Sequence, residues 1–333
     1  MRRRLAVAVA LLSMPVACGS GSTSNVAPPV CVPLHVTAHR TTLAETDLQT
    51  PGLKLDLGTQ PVGLALDRDG SSVWVLGTGL NTVLHVGSDG TVTVYNLPVS
   101  DLGLNLSVAQ DGTAWVPEQF RDAIAAIAPD GSARECRLPR KASEPASTAV
   151  AADGTVWVTE THGDAIAKFA GGRFTEYPIG VAGAEVLPAQ DGGAWFTVDG
   201  VPVLGRVTAA GDVQKTPIGG SGTALGLLNT SDGAVWVADF GGDRVVRVAP
   251  GGTLTEWKTA NGAKPQSLAV GPGGTVWLTE SGSNRLAAVH GSQVVEMLTT
   301  GAWPDHLVTT ADGWAWFTEY YQDRLGRVRL PAV

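Results

Sequence analysis

The chain contains 333 residues, with 31 acidic against 23 basic side chains and three cysteines. A net charge of −8 argues against a nucleic-acid partner, because binding to phosphate backbones requires clustered Lys and Arg. Three cysteines are too few for a disulfide-dense scaffold. With 44% hydrophobic residues, the chain has enough apolar side chains for a large folded core and is not intrinsically disordered.

The first 17 residues have the organisation of an export signal. Arg2, Arg3 and Arg4 form a positive segment, and residues 5–12 are an unbroken apolar run. Small residues precede Cys18 and a Gly/Ser-rich linker follows it, an arrangement that resembles a bacterial lipoprotein signal. We therefore predict a signal peptide over residues 1–17 and a lipidated Cys18. The protein is then expected at the outer face of a bacterial membrane; secretion with Cys18 retained is the alternative.

Residues 18–52 are predicted to hold the anchor cysteine, the linker and an N-terminal extension. Lipidation of Cys18 would leave Cys31 and Cys136 as an even pair in an oxidising compartment, where disulfides persist. A disulfide between them would tie the extension to the folded body, and two free thiols are the alternative. Residues 34–37 are interpreted as an extra outer strand or as a collar on that body.

From residue 53 onward, one tryptophan recurs at intervals of 41, 42, 38, 41, 41 and 39 residues. A period near 40 with short alternating strands indicates a β-propeller in which each repeat is one four-stranded blade. Asp-Gly pairs shortly before most of these tryptophans supply the positive φ that tight hairpins require. The repeated residues are Trp74, Trp115, Trp157, Trp195, Trp236, Trp277 and Trp316.

The two ends of the repeat region predict how the ring closes. The last repeat ends after its third strand, near residues 324–328, and an orphan strand at residues 53–57 precedes the first repeat. We expect the orphan strand to complete the last blade, which removes an open sheet edge. The fold class is therefore all-β, a seven-bladed propeller over residues 53–333.

Strand direction predicts which residues meet at one end of the central channel, here called the mouth. Inner strands start and second strands end on the same face of an antiparallel blade. The second strands end mostly in acids. These positions are Gly77, Glu118, Glu160, Val198, Asp239, Glu280 and Glu319. His162 follows Glu160 on the same face.

Two interpretations of the repeated acids stay open. In the first, the acids form a face that binds a divalent cation or a cationic ligand. In the second, they are structural and pair with arginines such as Arg244, Arg285 and Arg324. A second set, four residues further on, is mostly Asp or Asn, which also favour tight turns. That set is Asn81, Asp122, Asp164, Pro202, Asp243, Asn284 and Asp323.

The starts of the inner strands are expected to line the mouth, and most of them are apolar. Polar groups occur only in blades six and seven, at Gln266, Asp305 and the neighbouring His306. The full set is Val62, Leu104, Ala146, Ala184, Leu225, Gln266 and Asp305.

The repeat Asp-Gly-x-x-Trp-Phe-Thr-Glu, followed by Leu-Gly-Arg-Val, resembles the streptogramin lyase (virginiamycin B lyase) family of seven-bladed propellers. The clearest copies are at residues 316–319 with 325–328, and at 195–197 with 204–207. The resemblance covers residues 53–333. It implies a lyase that opens the ester ring of a cyclic depsipeptide by elimination, with Mg²⁺ as cofactor and a histidine at a Pro-His inner-strand start.

The chain departs from the family at these positions. The family's Glu-Pro-His in the last blade corresponds here to Trp303-Pro304-Asp305, and the preceding Pro-His corresponds to Pro265-Gln266. His306 lies one residue out of register, which on a regular strand turns a side chain to the other face. Within a lyase, Asp305 is the candidate base and Glu319 the candidate Mg²⁺ ligand.

Three functions follow from these observations. The favoured one is a binding module whose mouth, including Gln266, Trp303, Glu280, Glu160 and His162, recognises a small molecule, a peptide or a cell-surface ligand. The second is a Mg²⁺-dependent lyase acting on a cyclic ester, with Asp305 and His306 as catalytic candidates. The third is a lactonase of the gluconolactonase kind, because one fold hosts several chemistries.

Overall fold

The computed structural model describes residues 31–42, 53–56, 58–99, 101–220 and 222–331. The predicted signal peptide, Cys18 and the linker lie outside these residues. In the described part, helical structure is limited to three single-turn 3₁₀ segments at Gln119–Arg121, Pro272–Gly274 and Tyr320–Gln322. No helix within those ranges is long and apolar enough to cross a membrane.

Seven antiparallel sheets follow one another along the chain, as the tryptophan period predicts. From the inside outward, the strands of blade one are β4 Pro61–Leu66, β5 Val73–Gly77, β6 Thr82–Val86 and β7 Thr91–Asn96. Those of blade two are β8 Ser107–Val108, β9 Ala114–Glu118, β10 Ala123–Ile127 and β11 Ala133–Arg137. Those of blade three are β12 Pro145–Val150, β13 Val156–Glu160, β14 Ala165–Ala170 and β15 Arg173–Pro178.

The remaining blades repeat the same order. Blade four contains β16 Gly183–Pro188, β17 Ala194–Val198, β18 Val201–Val207 and β19 Val213–Pro217, and blade five contains β20 Ala224–Asn229, β21 Val235–Asp239, β22 Arg244–Val248 and β23 Leu254–Lys258. Blade six contains β24 Pro265–Val270, β25 Val276–Glu280, β26 Arg285–His290 and β27 Gln293–Thr299. Blade seven contains β28 Pro304–Thr309, β29 Trp314–Glu319, β30 Arg324–Arg329 and β3 Leu53–Lys54.

The ring closes as the sequence predicts, because β3 pairs with β30 and supplies the outer strand of the seventh blade. The N-terminal extension also joins the ring. Its strands β1 (Val32–Leu34) and β2 (Thr37–Thr42) pair with the outer strands of blades two and one as fifth strands. Residues 34–37, predicted as an extra outer strand or a collar, instead contain the link between two such strands, because β1 ends at Leu34 and β2 begins at Thr37. A disulfide joins Cys31 to Cys136 beside β1.

Each repeat tryptophan packs against the following blade. Trp316 of blade seven lies in one apolar cluster with Leu64 and Val75 of blade one, and Trp277 packs with Leu307 of blade seven. Trp316 and Trp277 are fully buried. Replacing such a side chain by alanine typically costs about 3–5 kcal/mol. The tryptophans are therefore structural contacts between blades.

A polar contact, here called the clasp, accompanies the apolar contact at five of the seven blade junctions. The Asp or Asn just before the third strand adopts a left-handed conformation, with φ of 53° at Asp122 and 49° at Asp323. Its side chain then accepts hydrogen bonds from backbone N–H groups of the next blade. Asp323 closes the ring in this way, because its two oxygens accept N–H donors of Gly58 at 2.9 Å and Gln60 at 2.8 Å.

We predict that Asp323→Ala lowers the free energy of unfolding by about 2–4 kcal/mol, since it removes two charged hydrogen bonds and puts alanine at positive φ. Urea denaturation measures this change. The matched control is Asp212→Ala, at an exposed hairpin aspartate, which should have a small effect. An Asp323→Ala protein within about 0.5 kcal/mol of wild type would contradict the role of the clasp.

Candidate functional site

A bulge in the inner strands sets the geometry around the channel. In blade seven the pairing of β28 with β29 shifts between Pro304 and Leu307. The bulge leaves the His306 N–H without a strand partner, and the Thr318 hydroxyl accepts it at 3.0 Å. The same hydroxyl donates to the Val62 carbonyl of blade one at 3.0 Å. Threonine therefore holds the bulge and links adjacent inner strands.

The same threonine bridge occurs at three other junctions. Each hydroxyl accepts an inner-strand N–H of its own blade and donates to an inner-strand carbonyl of the next blade. These threonines are Thr159, Thr197 and Thr279. They stand two residues after the repeat tryptophan, so the Trp-x-Thr pattern is the sequence signal for this geometry.

The bulge brings His306 into the channel, where regular strand alternation would have turned it away. Its Nε2 lies 3.0 Å from Oε1 of Glu185, which belongs to the inner strand of blade four on the other side of the ring. Its Nδ1 lies 3.1 Å from Oδ1 of Asp305. His306 thus bridges two carboxylates across the channel. Sequence analysis missed Glu185, which occupies the bulge position in its own blade.

Further polar contacts hold Asp305 from the side of blade six. The Gln266 amide donates to Oδ1 of Asp305. The Ser281 hydroxyl lies 2.8 Å from Oε1 of Gln266 and 2.6 Å from the Pro304 carbonyl oxygen. Gln266, Asp305 and His306, all predicted from the sequence, therefore belong to one polar network, in which Gln266 donates a hydrogen bond to Asp305 and His306 forms an ion pair with it.

The surroundings of His306 decide its protonation state. Burial by itself would lower the pKa of the imidazole, but the hydrogen bond to Glu185 and the negative charges of Asp305 and Glu185 outweigh burial and raise this pKa to about 10. At neutral pH the ring is therefore an imidazolium, which has no lone pair to accept a proton. It acts as a buried cation between two carboxylates.

Above this network lies an open cavity of about 690 Å³, here called the mouth pocket. Asp305 forms part of its floor, and aromatic side chains from blades two and seven form its rim. Val62 and Leu104 line it as expected for inner-strand starts. The remaining lining residues are Gln60, Thr78, Gly79, Asn81, Asp101, Leu102, Gln119, Phe120, Trp303, Tyr320 and Tyr321.

Exposed aromatic rings form the rim. Trp303 adopts a positive φ of 59°, as the residues before the inner strands of blades one, three and six also do, and its ring lies 5.6 Å from that of Tyr321. Nζ of Lys264 lies 5.4 Å from the centre of the Trp303 ring. Phe120 and Tyr321 are 59% and 67% exposed, respectively, at the tips of their 3₁₀ turns.

The acids that end the second strands lie elsewhere. Glu160, Glu280 and Glu319 are buried, and none is among the described residues that line the mouth pocket. Both carboxyl oxygens of Glu160 lack a hydrogen-bond partner in the described part of the chain. Asp239 accepts a hydrogen bond from Arg244 at 2.8 Å, as the structural interpretation expects. His162 is exposed and pairs with Glu144 at 2.6 Å.

Burial dominates the protonation of these glutamates. It raises the pKa of Glu118 and of Glu160 to about 8, and it also raises the pKa of Glu280 and of Glu319. A carboxyl group that tends to hold its proton is a poor ligand for Mg²⁺, which prefers ionised carboxylates. Glu319 and Asp305, the two residues that a lyase would use together, line separate cavities.

The donors around the channel do not fit a Mg²⁺ ion. His306 already occupies the space between Asp305 and Glu185, and it is a cation itself. Within the described residues, no group of three or more His, Cys, Asp or Glu side chains has an arrangement able to hold a metal.

With the fold and the site in place, comparison with known proteins identifies the family. The model described as the virginiamycin B lyase family matches residues 53–300, which is most of the chain. The chain belongs to this family. Comparison with curated proteins gave no match.

Solved structures of family members share the architecture. A streptogramin B lyase is 22% identical, with a TM-score of 0.77 over 89% of this chain and 98% of the other. A catalytically inactive virginiamycin B lyase from Staphylococcus aureus, crystallised with quinupristin, is 25% identical, with a TM-score of 0.75 over 89% and 100%. A putative gluconolactonase is 16% identical, with a TM-score of 0.54 over 88% and 97%, and shares the fold.

We predict that the protein loses stability as pH rises from about 4.5 to 8, in part through Glu160. The folded state binds the Glu160 proton more tightly than the unfolded chain does. The stability that this proton contributes is therefore fully present below pH 4.5, the ordinary pKa, and is lost as pH rises through the raised pKa of about 8. Glu160→Gln keeps the shape but cannot ionise. It should match wild type at pH 4 and exceed its unfolding free energy by at least about 1 kcal/mol at pH 9.

Urea denaturation at the two pH values tests this prediction. Asp212→Asn, at an exposed acid, is the control and should leave the pH dependence unchanged. Parallel pH curves for Glu160→Gln and wild type would show that Glu160 titrates normally in the folded protein.

Proposed function

We propose that this family member is a binding propeller that recognises a small molecule or a short peptide at its mouth without converting it. The observation that carries the proposal is the pairing of His306 with Asp305 and Glu185 beneath an aromatic-rimmed pocket. The site has the surfaces needed to hold a ligand, while its one channel histidine in the described residues is already protonated and paired.

The aromatic rim supports ligand binding. A cavity of about 690 Å³ is within the range of small-molecule sites. Exposed rings such as Phe120 and Tyr321 present large, rigid apolar surfaces with little conformational entropy to lose. An apolar or aromatic group of the ligand is expected to stack on these rings.

The polar floor supports recognition over catalysis. Elimination needs a base with a free lone pair close to an acidic C–H group. His306 cannot provide one at neutral pH, since the carboxylates raise its pKa to about 10. Asp305 is engaged by Gln266 and His306. These groups instead form a fixed set of charges and donors under the pocket.

A Mg²⁺-dependent lyase is the second candidate, and membership of the virginiamycin B lyase family favours it. In that case Asp305 would take the proton, since it lines the mouth pocket where the family pattern has histidine. Mg²⁺ would stabilise developing negative charge, but the donor set described above does not fit the ion. Hydrolysis of a lactone, as in a gluconolactonase, is a third outcome that the same assay separates.

We further propose that the protein is exported and anchored through lipid on Cys18. The signal-like N-terminus supports this, and so does the Cys31–Cys136 disulfide, because such bonds are typical of oxidising compartments. The ligand would then be a molecule outside the cytoplasm or on the cell surface.

One assay separates the candidate functions. Residues 31–333 are incubated with Mg²⁺ and a panel of cyclic depsipeptides and lactones that includes quinupristin, and both complexes and products are measured by mass spectrometry. We expect a complex of unchanged ligand. Tyr321→Ala should weaken it at least ten-fold by removing a stacking surface, whereas Leu254→Ala, at an exposed apolar residue far along the chain on β23, should not.

The other outcomes of this assay contradict the binding proposal. An isomeric linear product that disappears in Asp305→Asn would establish a lyase with aspartate as base. A product heavier by one water would establish a lactonase. Absence of both complex and product across the panel would also count against a small-molecule site at the mouth.

The anchor has its own test. When the full chain is expressed in a bacterium, we expect the mature protein to partition into detergent and to carry a lipid mass on Cys18. Cys18→Ser should partition into the aqueous phase, while Cys31→Ser should keep the lipid. Equal partitioning of Cys18→Ser and wild type would show that this cysteine is not the anchor.

A further inference from the structure

A second cavity, of about 330 Å³, lies between blades six and seven and is here called the interblade pocket. Leu286, Leu298 and Phe317 form its apolar wall, and Glu319, Arg324 and Arg327 provide its polar groups. It shares no lining residue with the mouth pocket. Nothing in the proposed function uses it.

The corresponding arginine of blade five shows why this cavity is open. Arg244, like Arg324, starts a third strand and pairs in register with the acid that ends the second strand. Arg244 folds inward, where it binds Asp239, Glu256 of the outer strand and the Ile218 carbonyl oxygen. In blade five the arginine is therefore fully engaged by the protein itself.

Blade seven engages its arginine differently. In the described part of its outer strand, β3, the residue paired with Arg324 is Lys54, which cannot accept a hydrogen bond from a guanidinium group. Across the described residues, Arg324 makes no hydrogen bond or ion pair to a side chain. Its guanidinium group instead lines the interblade pocket.

Two more groups in the pocket have unused hydrogen-bonding capacity. Glu319 is 2% exposed; its Oε1 accepts the Gly301 N–H at 2.6 Å, but its buried Oε2 has no partner within the described chain. The Arg327 guanidinium is held 4.2 Å over the ring of Trp314, and its buried Nε is also without a partner there. Buried polar groups of this kind ordinarily have partners, so a ligand would satisfy them.

Charge and shape indicate the class of ligand. Two guanidinium groups and one carboxyl group give the pocket a positive balance, which favours an anion and disfavours an amine. Guanidinium binds carboxylate through two parallel hydrogen bonds. Burial raises the pKa of Glu319, which favours the neutral form of its carboxyl group beside a bound anion. The apolar wall of Leu286, Leu298 and Phe317 suits an aromatic ring or a short alkyl chain.

We propose that the interblade pocket binds a small organic carboxylate, with its anionic group on Arg324 and Glu319 and its apolar body against Phe317. The site is separate from the mouth and is created by the blade that closes the ring.

The probes are benzoate and hexanoate, with benzamide as the neutral analogue of benzoate, measured by isothermal titration and ligand-observed NMR on residues 31–333. We expect saturable benzoate binding that is at least ten-fold weaker for benzamide. Arg324→Gln should weaken benzoate at least ten-fold. Arg285→Gln is the matched control, because this arginine occupies the same position in blade six and pairs with Glu296, and it should change binding less than two-fold.

A second variant keeps the test decisive if Arg324→Gln does not fold. Leu298→Trp fills the cavity and should abolish binding while circular dichroism remains native. Asp305→Asn should leave benzoate binding unchanged, which separates this site from the mouth. No saturable benzoate binding to the wild-type protein, equal binding of benzamide, or undiminished binding in both Arg324→Gln and Leu298→Trp would overturn the proposal.

Discussion

At five of the seven blade junctions, including the one that closes the ring, a short polar side chain of one blade accepts hydrogen bonds from the backbone of the next. Asp122 binds N–H groups of blade three, Asp243 those of blade six, and Asp323 those of blade one. The left-handed backbone that aims each side chain is tolerated by Asp and Asn, which explains their repetition. Together with the tryptophan contacts, these clasps fix the angle between successive sheets.

Because every blade is held at a fixed angle, residues distant in the sequence meet at the axis. The threonine bridges extend this order to the inner strands, where Thr318 holds the bulge that carries His306. His306 and Glu185 then meet across the channel, although 121 residues separate them. The charge network is therefore a property of the closed ring, and no single blade contains it.

The repeat also separates structural residues from candidate functional ones. Buried glutamates recur in four blades, and a feature repeated in this way belongs to the blade's own architecture. Departures from the repeat are concentrated in blade seven, which carries Trp303, Asp305 and His306 at the mouth and Arg324 in the interblade pocket. This blade is built from both ends of the ring, because β3 from the start of the propeller completes the sheet of β28, β29 and β30.

The sequence by itself determined the all-β class, the seven blades and their closure, because these depend on local strand, turn and tryptophan spacing. It also placed Asp305 at the mouth, since strand direction fixes which ends share a face. Only the tertiary structure decided that buried glutamates such as Glu160 face the blade interior, that a bulge turns His306 into the channel, and that Glu185 meets it there. These outcomes depend on contacts between blades, which no spacing within one repeat records.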